Sequence, residues 1–133
     1  MKTLVVYFSQ TGKTKALAGR IAGIAGADLV EIKTKKSYKM SYGRTILTSF
    51  GEIVTGARPE LAMEVPDCQN YDRILIGFPI WCGTLPNAVR TFLDKAALAG
   101  KQAAIFTTSG ATEPGKIAVR LKKSYPAVWH KPL

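Results

Sequence analysis

Residues 4–14 read LVVYFSQTGKT, and this stretch decides the fold. The run from Leu4 to Phe8 is unbroken by polar residues and too short for a helix, which predicts a strand buried on both faces of a sheet. The polar residues after it end the strand. A helix is predicted from Thr14 to Gly26, because apolar residues recur there at helical spacing. These are Leu17, Ile21, Ala22 and Ile24.

The rest of the chain continues the alternation of strand and helix. Short runs rich in β-branched or aromatic residues predict further strands at 29–32, 73–78, 102–107 and 128–129. Helical spacing of apolar residues predicts further helices at 41–55, 86–99 and 116–123. No linker or internal repeat interrupts the pattern. The sequence therefore predicts a single α/β domain over residues 1–133, built on a parallel sheet.

The composition limits the classes of protein and partner. The chain has 19 Lys and Arg against 9 Asp and Glu, a net charge of +10, and 47% of its 133 residues are hydrophobic, which excludes a disordered chain. The charge leaves open an acidic protein, a nucleic acid, an anionic membrane surface or a phosphorylated ligand. Two cysteines and one histidine are too few for a disulfide framework or a zinc site. The low cysteine count favours a reduced, cytoplasmic setting. The apolar run at 4–8 is shorter than a signal-peptide core and far shorter than the ~20 residues of a membrane span, so neither export nor membrane insertion is expected, and no membrane is expected among the partners.

The segment 9–14, SQTGKT, lies where a strand gives way to a helix. Free amides and the helix dipole favour an anion there, and the hydroxyls and glycine predict a phosphate cradle. A nucleoside-triphosphatase loop is excluded, because it needs a glycine five residues before Gly12 and the chain has Tyr7 there. No G-x-G-x-x-G dinucleotide motif follows the strand either. A simple helix N-cap by Ser9 or Thr11 remains the alternative.

Four segments resemble the flavodoxin family. They are SQTGKT at 9–14, GARPEL at 56–61, IGFPIWCGTLP at 76–86 and TTSG at 107–110. The resemblance implies a flavodoxin-like doubly wound parallel sheet of strand order 2-1-3-4-5, with FMN where the strand order reverses. Few residues follow position 129, so the C-terminal strand and helix are expected to be short or missing. No metal is implied.

The resemblance assigns three groups of residues to FMN. The phosphate would be bound by Ser9, Gln10, Thr11, Gly12, Lys13 and Thr14. The isoalloxazine ring would lie against Pro79, Ile80, Trp81, Cys82 and Gly83. Its other side would be closed by Thr108, Ser109 and Gly110. Trp81 offers a flat face for stacking on the ring, with a role in the core as the alternative, and Cys82 is interpreted as a packed apolar residue and not as a reactive thiol.

The same resemblance implies an FMN-binding, low-potential electron-transfer protein. One alternative is a flavin-dependent oxidoreductase that passes electrons from NAD(P)H to a quinone. The other is a flavodoxin-fold protein without flavin that acts through its basic surface. No acid–base pair stands out and His130 lies near the C-terminus, so the carrier is favoured and no catalytic residue is assigned.

The charge of +10 departs from the usual acidic flavodoxins. It predicts redox partners with acidic docking faces, and a second reduction potential less negative than in an acidic relative. The basic run over residues 33–44 is interpreted as a solvated face, so no nucleic-acid partner is expected. A sheet face without its usual helix leaves a homodimer open.

Overall fold

Strands and helices alternate along the chain in the computed structural model, which describes residues 2–9, 12–34, 60–80, 85–108 and 114–133. The strands are β1 (Thr3–Tyr7), β2 (Asp28–Glu31), β3 (Arg73–Pro79), β4 (Gln102–Thr108) and β5 (Val128–Trp129). The helices are α1 (Lys13–Ala25), α2 (Asn87–Lys95) and α3 (Pro114–Ser124), with a 3₁₀ turn at Cys68–Asn70 before β3. The helix predicted at 41–55 lies outside the described residues.

The strands form one parallel sheet of order β2-β1-β3-β4-β5, which confirms the predicted topology. β1 lies between β2 and β3, where Val5 pairs with Leu29 on one side and Leu75 on the other. β5 has only two paired residues, as expected for a short C-terminal strand. The backbone beyond it still follows β4, because the Leu133 amide donates to the Ile105 carbonyl at 2.9 Å.

The sheet has apolar residues on both faces, which is why its strands are continuous hydrophobic runs. One face packs against α2 and α3, where Phe92 and Ile117 are fully buried. The other packs against α1 through Ala18 and Ala22. The sequence wrongly placed Ile24 on this buried face, since its side chain is 89% exposed. A residue two positions after Ala22 is turned far from it around a helix.

Gly77 of β3 lies directly against a buried aromatic ring of the neighbouring strand. It pairs with Phe106 of β4, whose side chain is 1% exposed. A Cβ added at Gly77 would lie 2.1 Å from Cε2 of the Phe106 ring, so the ring occupies the space that a side chain would need. The glycine is required here by a close approach and not by its backbone angles.

The boundaries of α2 correct two predictions. Pro86 is the extended N-cap, with φ −61° and ψ 146°, and is not part of the first turn. The helix ends at Lys95 and not near 99, because the chain turns extended at Ala96 and buries Leu98, which is 3% exposed. Gly100, at φ +80°, then belongs to the turn into β4 and does not cap the helix.

Other ends shift by smaller amounts. α1 stops before Gly26, whose left-handed φ of 62° matches the predicted helix stop. β2 begins at Asp28 and ends at Glu31, one residue earlier than predicted at each end, because the Asp28 backbone pairs with Leu4. α3 begins at Pro114, two residues before its predicted start.

An antiparallel bridge joins the chain on either side of residues 35–59. Thr34 pairs with Leu61, and the Ala62 amide donates to the Lys33 carbonyl at 2.7 Å. The Leu61 side chain is 9% exposed and belongs to the core under α2 and α3. The two flanks of this segment are therefore fixed beside one another, next to the end of β2.

Candidate functional site

Three strands end side by side where the predicted site residues lie. β1 ends at Tyr7, β3 at Pro79 and β4 at Thr108, all at the carboxyl edge of the parallel sheet. The Phe8 amide donates to the Gly77 carbonyl at 2.9 Å, and the Ile80 amide to the Thr108 carbonyl at 3.5 Å. The strand order reverses next to β1, because β2 lies on one side of it and β3 on the other. Ligands of doubly wound sheets bind in the crevice formed there.

The helix that follows β1 begins at a glycine. Gly12 is the N-cap of α1, with a left-handed φ of 91° that residues with side chains rarely adopt. The alternative of a simple N-cap by Ser9 is wrong, because the Ser9 hydroxyl accepts from the amide of the N-cap Gly12 at 3.1 Å and no side chain caps the first turn. Thr11 lies outside the described residues. Gly12 has no side chain to cap the helix, and first-turn amides have no acceptor inside a helix. These amides therefore suit an anionic ligand.

A hydrogen bond between two hydroxyls links this helix to β4. Thr14 Oγ1 lies 2.8 Å from Thr108 Oγ1, across 94 residues of sequence. The Thr14 side chain is 2% exposed, whereas Thr108 is half-buried. The first turn of α1 is thus held directly against the end of β4.

The electrostatics of the carboxyl edge favour an anion. α1, α2 and α3 have no acidic residue in their first turns. Exposed lysines stand there instead: Lys13 and Lys15 in α1 and Lys116 in α3. Because the helices start at this edge, the positive ends of their dipoles add to the charge of the lysines. Lys15 and Lys116 were not among the residues that the resemblance assigned to the cofactor, although their places in the predicted helices were the available signal.

A second polar contact ties β1 to β2 at the same edge. The Tyr7 hydroxyl donates to a Glu31 carboxylate oxygen at 3.1 Å, and Lys33 Nζ lies 3.9 Å from the other oxygen. Burial of Tyr7, followed by the hydrogen bond to Glu31 and the charge of that carboxylate, raises the pKa of the phenol from 10.0 to about 12. Tyr7 therefore stays protonated at neutral pH and acts as a fixed donor.

The structure describes half of the residues that the sequence assigned to a cofactor. Those described lie at the carboxyl edge: Ser9, Gly12, Lys13, Thr14, Pro79, Ile80 and Thr108. The others lie outside the described residues: Gln10, Thr11, Trp81, Cys82, Gly83, Ser109 and Gly110. The contact of each residue with a ligand stays a prediction. Within the described ranges no group of three or more His, Cys, Asp or Glu could hold a metal ion.

The family model for flavodoxins, "Flavodoxin_4: Flavodoxin", matches residues 2–133. The chain belongs to the flavodoxin family. Among solved structures, a flavoprotein from Bacteroides uniformis is 32% identical with a TM-score of 0.90, and covers 98% of this chain and 87% of its own. One from Bacteroides eggerthii is also 32% identical, with a TM-score of 0.89 over 98% of this chain and 86% of its own.

A flavodoxin-family cofactor can be tested against the donors at the carboxyl edge. A flavoprotein from Lactobacillus acidophilus, solved in complex with FMN, is 26% identical with a TM-score of 0.81 over 98% of this chain and 92% of its own. Family membership and that complex support FMN as the cofactor. The residues present fit its phosphate, because a glycine-started helix, a buried hydroxyl at Thr14 and the lysines Lys13 and Lys15 meet at one place.

None of the helices among the described residues has the length and apolar character of a membrane span.

Proposed function

We propose that this flavodoxin-family protein is an electron carrier that holds FMN at the carboxyl edge. The observation that carries the proposal is the Thr14–Thr108 hydrogen bond, which fixes the glycine-started turn of α1 against the end of β4. Amide, hydroxyl and ammonium donors are thereby collected around one crevice. The FMN complex of the Lactobacillus acidophilus protein supports the choice of flavin.

FMN, when bound, supplies the reversible uptake and release of electrons, and the chain supplies binding and orientation. The first-turn amides of α1 and the Thr14 hydroxyl would bind the phosphate, while Lys13 and Lys15 would balance its negative charge. Pro79 and Ile80, both half-buried, would exclude water from one side of the ring.

The single histidine of the chain lies away from this edge. His130, the only histidine of the chain, is exposed, and its amide donates to the Ala103 carbonyl in the amino-terminal half of β4. It therefore lies away from the carboxyl ends of the strands. An electron carrier needs no proton-transfer residue of this kind, whereas reduction of a small substrate commonly uses one.

The same geometry supports the proposal of redox partners with acidic docking faces. The exposed Lys13, Lys15 and Lys116 surround the place where electrons would enter and leave. Complementary charge accelerates the encounter of two proteins and orients them before they touch. An acidic partner would thus be guided to the carboxyl edge and not to a random face of this basic protein.

The first experiment tests the cofactor and the class of protein together. The purified chain is titrated with FMN while flavin fluorescence is recorded, and the complex is then mixed with NADPH with and without a quinone. We expect stoichiometric quenching and no catalytic NADPH oxidation. Sustained NADPH oxidation that requires the quinone would instead support the oxidoreductase. Absence of FMN binding would support the protein without flavin.

The second experiment tests the docking edge with small redox probes. Reduced FMN-loaded protein is mixed with anionic ferricyanide or cationic cobalt hexammine at increasing salt. Lys15→Glu/Lys116→Glu should slow the reaction with ferricyanide at low salt and speed that with cobalt hexammine. Lys122→Glu/Lys123→Glu is the matched control, because it changes the charge equally in the last turn of α3.

The two charge variants separate a local from a global effect. Salt at ~1 M shortens the screening length to ~3 Å and should abolish the difference between them. Equal slowing by both variants at low salt would mean that only net charge matters, which contradicts docking at the carboxyl edge.

A further inference from the structure

The Thr14–Thr108 pair has a direction that its surroundings can set. The two oxygens are 2.8 Å apart, and either hydroxyl can be the donor. Each hydroxyl has one hydrogen. One of the two hydrogens lies in the bond between the oxygens, and the other can be donated to a different acceptor. Thr14 lies at the second position of α1, inside the turn that begins at Gly12, whereas Thr108 is the last residue of β4.

An ionised phosphate at the start of α1 selects one direction. The oxygens of an ionised phosphate only accept hydrogen bonds, so the Thr14 hydroxyl must be the donor in a hydrogen bond to them. Its oxygen is then left to accept a hydrogen bond, and Thr108 is the donor within reach at 2.8 Å. Successive hydrogen bonds polarise one another, so the bond from Thr108 to Thr14 strengthens the bond from Thr14 to the phosphate.

We propose that Thr108 is a positioning residue for the cofactor phosphate and that it acts through Thr14. The resemblance assigned Thr108 to the side of the flavin ring, but its hydroxyl is bonded to the phosphate turn. It holds the Thr14 hydroxyl in the orientation that donates to phosphate and fixes α1 against β4. This inference rests on the proposed binding of FMN at the carboxyl edge.

The test compares two flavins that differ only in the phosphate. Dissociation constants for FMN and for riboflavin, which lacks the phosphate, are measured by fluorescence quenching with the wild type and with Thr108→Val. Loss of one supporting hydrogen bond should raise the dissociation constant for FMN roughly 2- to 12-fold. The constant for riboflavin should not change. Thr108→Ser keeps the hydroxyl and should bind FMN as the wild type does.

A matched control removes a similar hydroxyl at the opposite edge of the sheet, where the strands begin. Thr3 of β1 is 4% exposed, and its Oγ1 accepts from Arg73 Nε at 3.2 Å. Thr3→Val is therefore the same change at a strand threonine that bonds to the neighbouring strand. It should leave both flavin constants unchanged, which separates positioning of the phosphate from a general loss of stability.

The double variant tests whether Thr108 acts through Thr14. Thr14→Val alone should weaken FMN binding, and Thr14→Val/Thr108→Val should be no weaker than Thr14→Val. Additive effects would overturn the proposal, as would equal weakening of FMN and riboflavin by Thr108→Val, since the latter indicates contact with the ring. An unchanged FMN constant in Thr108→Val would also overturn it.

The failure of this inference differs from the failure of the proposed function. If the wild type bound neither flavin, both would be wrong. If it bound FMN and the variants behaved additively, only the role of Thr108 would be wrong. Urea unfolding of the apo-protein provides a readout without flavin: the same four proteins should show non-additive unfolding free energies, because the hydroxyls contact one another.

Discussion

Replacing Gly77 with alanine tests the close contact between this glycine and the Phe106 ring. The new Cβ would lie 2.1 Å from Cε2 of Phe106, about 1.4 Å short of the ~3.5 Å at which carbon atoms normally meet. Phe106 is 1% exposed, so its ring can move only by displacing other buried atoms. Overpacking of this kind costs ~1–3 kcal/mol, and the stiffer unfolded chain offsets ~0.4–1 kcal/mol of it. We therefore expect Gly77→Ala to lower the unfolding free energy by ~1–2 kcal/mol.

The assay is urea unfolding followed by circular dichroism, with two comparisons. Gly23→Ala in α1 is the matched control, because an added Cβ there meets nothing within 4 Å; it should stabilise the protein by up to ~1 kcal/mol. Phe106→Leu removes the ring, so the cost of Gly77→Ala should largely disappear in that background. A Gly77→Ala protein as stable as the wild type, or a cost that stays the same after Phe106→Leu, would refute the reasoning.

Three further predictions concern substitutions of single residues. Because the pKa of Tyr7 is raised to about 12, its contribution to the free energy of unfolding is complete below pH 10 and is lost as the pH rises towards 12. Tyr7→Phe should therefore make the free energy of urea unfolding less dependent on pH between 10 and 12. An unchanged pH profile would contradict the contact with Glu31. Gly12→Ala should cost ~1–2 kcal/mol through its φ of 91° alone, since the space is open, and urea unfolding showing no loss would exclude the left-handed conformation. Leu98→Ala should cost ~2–5 kcal/mol by the same measurement, and a loss below 1 kcal/mol would mean that Leu98 is not buried.

The strand order was predicted from the resemblance to flavodoxins, and the separate strands were predicted from their local pattern. The apolar runs in β1 and β3 predict burial on both faces of the sheet, and Leu4 and Ile74 are indeed fully buried. The end of α2 could not be predicted from helical spacing, because burial of Leu98 is a tertiary event. The exposed Ile24 shows the same limit, since the spacing alone does not say how much of a helix the sheet covers.

The candidate site was predictable in position but not in its internal contacts. The polar residues after β1 and β4 could be placed at one edge, since parallel strands end together. The bond between Thr14 and Thr108 spans 94 residues and depends on the side-chain geometry, so no sequence pattern announces it. The same holds for Tyr7 and Glu31, which meet only because β1 and β2 are neighbours.

The bridge between Thr34 and Leu61 has a consequence for insertions in this chain. Because the two flanks are pinned together next to β2, what lies between them can change in length without altering the sheet. Doubling the length of a closed loop costs only ~0.6 kcal/mol of chain entropy. Insertions between these two paired flanks are therefore expected to leave the pairing of β1 with β2 unchanged.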